Sequence, residues 1–198
     1  MRIVELIIDE SDEQSGIEAV SLVETPAIEE NFIALNKQQI LLKEVDKEKR
    51  ILMGAALVPN KQIYRRNEKT NDEYYIYFSK DTVRKASELF FKRSNHKNAT
   101  YEHKQPIKGT TIVESWIVEN TKKDKSAHYG LNVPEGTWMI SMKIDDQELY
   151  NKAKEGEIKG FSIEGYFADK YDLQKDDKNQ EIIKQLCLLY TSPSPRDS

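Results

Sequence analysis

Ser162 lies in Gly-Phe-Ser-Ile-Glu-Gly, residues 160–165. A serine hydroxyl attacks a carbonyl only when a neighbouring base takes its proton. The chain offers three histidines for that task, His96, His103 and His128. His96 follows a helix-like segment, where a cation meets the C-terminal end of the dipole, and His128 lies in a polar, lysine-rich stretch, so both read as surface residues. His103 differs: it closes Ala-Thr-Tyr-Glu-His, a short strand pattern, and leads through Gln105 and Pro106 into the apolar run 109–119. An imidazole base needs a group to orient it, and two glutamates qualify. Glu114 lies inside that apolar run, where a carboxylate is costly to bury unless paired, and Glu164 lies two residues from Ser162 on the same strand face. The chemistry such a set supports is acyl transfer, with Ser162 as nucleophile, His103 as base, and Glu114 or, in competition, Glu164 as the orienting carboxylate. Plainer readings stand beside it: an amphipathic strand with glycines at a bulge, a surface histidine, and an edge strand with Glu114 turned to water. The residues alone leave the choice open.

These side chains need strands to carry them. With period two, Phe161, Ile163 and Phe167 face the core, while Gly160, Ser162, Glu164 and Tyr166 face the other way. Glycines at 160 and 165 would leave room for another backbone, such as an extended substrate, beside the serine. The segment is not a Gly-x-Ser-x-Gly elbow, because Glu164 occupies the second glycine position. Upstream, residues 2–9 predict a strand, and a Pro-punctuated turn is followed by a second extended piece at Asn31 to Leu35. Residues 51–58 and 73–78 predict buried strands, with residues 60–72 as a long hairpin loop between them. One helix is expected from Lys80 to Lys92, capped by Ser79 with Val83, Ala86, Leu89 and Phe90 as its apolar stripe; another starts at Asp145, with Glu148 completing a capping box, and stops at Gly156. The strands at 109–119, 137–144 and 160–167 are expected to share one sheet. The pattern is α+β, mostly strands.

Composition narrows the function classes. The 30 basic and 34 acidic residues are interspersed, with a net charge of −4, which argues against nucleic acid or an anionic membrane as partner. A nucleic-acid module using the lysines and aromatics of residues 63–78 is the weakest of the readings considered. No apolar run approaches a membrane span, and the first ten residues are too short and acidic for a secretory signal, so a cytoplasmic location is expected. The sole cysteine, Cys187, cannot form an internal disulfide, and three scattered histidines show no ligand spacing; no metal and no cofactor is expected. Residues 1–36 read as an extended N-terminal segment of the domain, 37–50 as a charged connector and 51–186 as the main domain. From Cys187 to Ser198 the chain changes character, with two prolines and three serines in the last seven residues. That tail reads as non-native, resembling translated sequencing adapter with the native chain continuing beyond it, or else as disordered.

Taken in order, Gly-Ile-Glu-Ala-Val-Ser-Leu-Val-Glu-Thr-Pro near the N-terminus, His103-x-x-Pro-Ile-x-Gly, a strand, a helix and Gly-Phe-Ser-Ile-Glu-Gly resemble the XkdF-like phage serine proteases. These are relatives of the prohead proteases of tailed phages and, by fold, of herpesvirus assemblins. The resemblance covers about residues 15–170. It implies a compact, mainly antiparallel β-barrel flanked by helices, with His103 as base and Ser162 as nucleophile. The third member in assemblins is a histidine downstream of the serine, and none follows Ser162 here. The activity implied is cleavage of phage scaffold and major capsid proteins during head maturation, in the host bacterial cytoplasm and inside the assembling prohead. Self-association as a homo-oligomer is left open. The competing reading is a non-catalytic head or scaffold-binding component that keeps the fold and holds an extended peptide by strand addition.

Overall fold

The computed structural model describes residues 2–24, 33–34, 49–66 and 71–172. The expected tail from Cys187 and all but the end of the expected connector at 37–50 lie outside the described residues. The strands are β1 (Arg2–Ile7), β2 (Gly16–Val23), β3 (Ile33–Ala34), β4 (Ile51–Leu57), β5 (Ile63–Arg66), β6 (Glu73–Phe78), β7 (Ala99–Tyr101), β8 (Gln105–Ile107), β9 (Thr110–Ile117), β10 (Trp138–Ile144), β11 (Gly160–Tyr166) and β12 (Ala168–Asp169). The helices are α1 (Lys80–Lys92), α2 (Lys125–His128) and α3 (Gln147–Glu155).

The strands form three four-stranded sheets, in the orders β12-β1-β6-β5, β3-β4-β10-β9 and β11-β2-β7-β8. Only β1 with β6 and β2 with β7 run parallel, so the fold is mixed α+β and mostly antiparallel. Each described ladder ends within its own sheet, and among the described residues no closed barrel is found. The expectation that residues 109–119, 137–144 and 160–167 share a sheet does not hold. Both edges of β10 are already taken, by β4 and β9, and β11 pairs instead with β2. The expected hairpin loop at 60–72 also contains a strand. In β5, Ile63 lies opposite Ile76 and turns into the core, a single buried residue too few to show as periodicity.

The core sits where the three sheets meet. Strands β4 and β10 are buried along nearly their whole length, as expected of apolar runs with neighbours on both edges. Leu22 of β2, Leu52 and Leu57 of β4, Ile140 of β10 and Phe161 of β11 are fully buried, each worth roughly 1.5–3 kcal/mol. Helix α1 closes one side. The Ser79 hydroxyl accepts from Thr82 N, and Val83, Ala86 and Phe90 face inward, with Phe90 edge-on to Trp138 at 5.4 Å. Helix α3 starts one residue later than its sequence suggests. Asp146, not Asp145, caps it by accepting from Leu149 N at 2.7 Å, and Gly156 ends it at φ +81°.

Candidate active site

Strands β11, β2 and β7 lie side by side, and their register aligns three hydroxyls. Ser162 is opposite Ser21, and Ser21 is opposite Thr100. Directly paired residues on neighbouring strands point to the same face, so the three hydroxyls share one face. Glu164 joins them, two residues along β11. Beyond β7 the chain turns sharply into β8, and His103 is in that turn.

The turn is built against local preference. Glu102 and His103 both adopt the left-handed region, at φ +49° and +56°, where a residue with a Cβ costs about 1–2 kcal/mol. Hydrogen bonds to β2 hold it there. Glu102 N donates to Leu22 O at 3.1 Å, the Glu102 carboxylate accepts from Glu24 N at 2.6 Å, and His103 N donates to Ser21 Oγ at 3.0 Å. The conformation aims the His103 ring back over the sheet, where Nδ1 meets Glu164 Oε1 at 3.1 Å. Thr100 Oγ1 donates to the same carboxylate oxygen, and Ser21 Oγ donates to Thr100 O at 3.4 Å. A closed ring results: His103, Glu164, Thr100, Ser21 and back to His103. Left-handed residues of this kind persist only where surrounding contacts hold them, as the bonds to Leu22, Ser21 and Glu24 do here.

The histidine and serine are 59 positions apart in sequence, yet His103 is tied to the direct cross-strand neighbour of Ser162. No hydrogen bond joins the Ser162 hydroxyl to the His103 ring. Ser162 is 9% exposed, while the His103 and Glu164 side chains are 44% and 29% exposed. The serine is therefore not on an open face, as simple alternation suggests, but at the buried margin of a cleft whose wall is β11.

Of the two candidate carboxylates, the one brought to His103 is Glu164. Glu114 sits in another sheet, on edge strand β9, with its side chain 45% exposed. It accepts from Lys125 Nζ at 2.6 Å and from Ser141 Oγ at 2.6 Å, and these hydrogen bonds hold its carboxyl below the usual glutamate range. Strand β9 is thus the edge strand that the plainer reading expected, and a register shift opposite Ser141 and Met142 breaks its alternation and exposes Val113. The other histidines are elsewhere. His96 stacks on Phe91 with centroids 6.0 Å apart, and His128 ends α2 edge-on to Tyr129.

Gly165 has a different role from the one its sequence suggests. A Cβ there would lie 2.8 Å from Ile17 Cα and nearer still to Gly16 O, so the space beside it is filled by β2. Ser21, Thr100 and Glu102 were not among the residues singled out from sequence. The one available signal was Ser21, a hydroxyl inside the otherwise apolar Ala-Val-Ser-Leu-Val run. Among the described residues no group of three His, Cys, Asp or Glu side chains is placed to hold a metal. No helix among them is long and apolar enough to cross a membrane.

A family model described as "Putative phage serine protease XkdF" matches residues 37–172. That span contains His103, Glu114, Ser162 and Glu164, and stops short of β1 and β2, which supplies Ser21. No curated protein and no solved structure matches the chain.

Proposed function

We propose, for a chain that belongs to the XkdF family of phage serine proteases, that it is a serine endopeptidase whose nucleophile is Ser162, whose base is His103 and whose orienting carboxylate is Glu164. One observation carries the assignment: the Glu164 carboxylate holds His103 Nδ1 at 3.1 Å, two residues along the strand from Ser162 and on the same face. A carboxylate on Nδ1 fixes the tautomer that leaves Nε2 free to accept a proton.

In the reaction, Nε2 takes the proton of Ser162 Oγ as the oxygen bonds to the scissile carbonyl carbon. The imidazolium returns that proton to the departing amide nitrogen as the C–N bond breaks, leaving an acyl ester on Oγ. Water then attacks the ester with its proton taken by His103, the C–O bond breaks, and Ser162 recovers its proton. The Glu164 carboxylate beside Nδ1 stabilises the imidazolium. Contacts between base and nucleophile in free enzymes are commonly long and tighten in the substrate complex; here His103 N is bonded to Ser21, the cross-strand partner of Ser162.

The substrates in this reading are phage scaffold and major capsid proteins, cut inside the assembling prohead in the host cytoplasm. Incubation with the scaffold protein of the same phage, followed by mass spectrometry of the products, tests it. The proposal expects discrete fragments from the wild type and none from Ser162→Ala. A peptide-holding component without chemistry gives no fragments from either and retains scaffold binding in both.

A further inference from the structure

We propose that the cleft bordering Ser162 is the subsite for one large apolar side chain of the substrate peptide, close to the bond that is cut; this rests on reading Ser162 as the nucleophile. The cleft has a volume of about 390 Å³. It lies between the inner face of the β1-β6-β5 sheet and β11. The register puts Ile63 opposite Ile76 and Leu6 opposite Phe78, so these side chains form one apolar floor. Ile63, Ile76 and Phe78 are buried within it. Arg65 is the only charged residue in the lining, and it stands at the exposed rim. On the floor itself, formed by Ile63, Ile76 and Phe78 away from Arg65 at the rim, a charged or polar side chain would lose its hydration without gaining a partner, whereas an apolar one fits it.

The occupant follows from continuity with the site. Ser162, Ile163 and Tyr166 of β11 form the wall of the cleft, so a side chain within it belongs to a chain passing Ser162. A peptide that passes Ser162 in extended form sends alternate side chains to the same face. One of them enters the cleft. The volume is near the lower end of the roughly 300–1,000 Å³ usual for ligand sites, enough for a side chain and its backbone and too small for a folded partner.

The test uses decapeptide libraries, each fixed at one position as Leu, Phe, Gly or Glu. Binding is measured by fluorescence anisotropy to the Ser162→Ala chain, and cleavage by the wild type is followed by mass spectrometry. At one position Leu and Phe should bind at least about tenfold more tightly than Gly, within the roughly 10- to 200-fold discrimination of apolar pockets, and Glu should be rejected. A diazirine analogue of leucine at that position should crosslink to Ile63, Tyr74 or Ile76, a readout that needs no cleft variant to fold. Filling the cleft with Ala56→Leu should shift the preference to smaller residues. Equal binding of the Leu and Gly peptides, or crosslinks only outside these strands, overturns the proposal. A peptide that crosslinks in the cleft yet is never cut upholds the apolar subsite and overturns the nucleophile assignment. Cleavage with no preference at any position does the reverse.

Discussion

Glu164 and Glu114 are both glutamates on strands, and their partners separate their roles. Glu164 holds an imidazole and a threonine hydroxyl, whereas Glu114 holds a lysine and a serine on another sheet. Glu164→Gln keeps the shape but loses the charge that stabilises an imidazolium, so kcat against a scaffold-derived peptide should fall about 100- to 10,000-fold. Glu114→Gln should change kcat less than about threefold and cost roughly 0.2–1 kcal/mol of stability, as expected for a half-exposed ion pair. Parallel kinetics and thermal melts of the two variants check both outcomes. His103→Ala and Ser162→Ala should each remove nearly all activity, and the double variant should be little worse than either, because nucleophile and base act as a unit. At this scale Ser162 and His103 stand out as candidates by residue type, since few groups can serve as nucleophile and base. The partner of His103 could not be chosen, because it depends on which strands become neighbours, and that is fixed by pairings more than a hundred residues apart in sequence, such as β2 with β11.

Most strands and the helix α1 legible from local pattern formed as expected, while the expected Pro-punctuated turn before Asn31 lies outside the described residues. Helix α1 matches its expected limits because cap, stripe and length agree, and the buried runs of β4 and β10 stand out in hydrophobicity, whereas β6, expected as a buried strand, buries only Ile76 and Phe78. What was hidden is pairing: the assignment of β11 to β2, the short β5, and the left-handed turn at Glu102 and His103, which neither residue type announces. Two predictions belong to this scale. Gly165→Ala would drive a Cβ into the backbone of β2, so it should destabilise the chain by at least about 2 kcal/mol, measured by urea unfolding. Ser21→Ala removes the acceptor of His103 N while leaving every proposed catalytic group in place. Its kcat should fall about 10- to 100-fold with KM nearly unchanged, and Ser21→Thr should recover most of the loss; a change confined to KM would argue against a role in positioning the histidine.

For the whole molecule, the first sheet is tied together by Glu5 of β1, which accepts from Lys170 Nζ at 2.8 Å and from the Tyr77 hydroxyl of β6 at 3.2 Å. The hydrogen bond from Lys170 is the main cause that holds the Glu5 carboxyl below its usual range, against the opposing effect of burial. A carboxyl whose pKa is lower in the folded chain stabilises it above the unfolded value, about 4.3, and that contribution is lost as the pH falls through the folded value. The melting temperature should therefore drop on acidification below about pH 5, and Lys170→Met should flatten that dependence while lowering stability at neutral pH. The raised pKa of Lys170, due first to its hydrogen bond with Glu5, acts in the opposite direction and matters only in strongly alkaline solution. The central claim, that the β11-β2-β7-β8 sheet brings Glu164, His103 and Ser162 into one acyl-transfer site, is tested most directly by covalent labelling, which requires no knowledge of the substrate. The folded chain is treated with a fluorophosphonate and the modified peptide is mapped by mass spectrometry. The account predicts a single adduct on Ser162 that forms at least about a hundredfold more slowly in His103→Ala. An adduct on another serine, or labelling of Ser162 at an undiminished rate without His103, would contradict it.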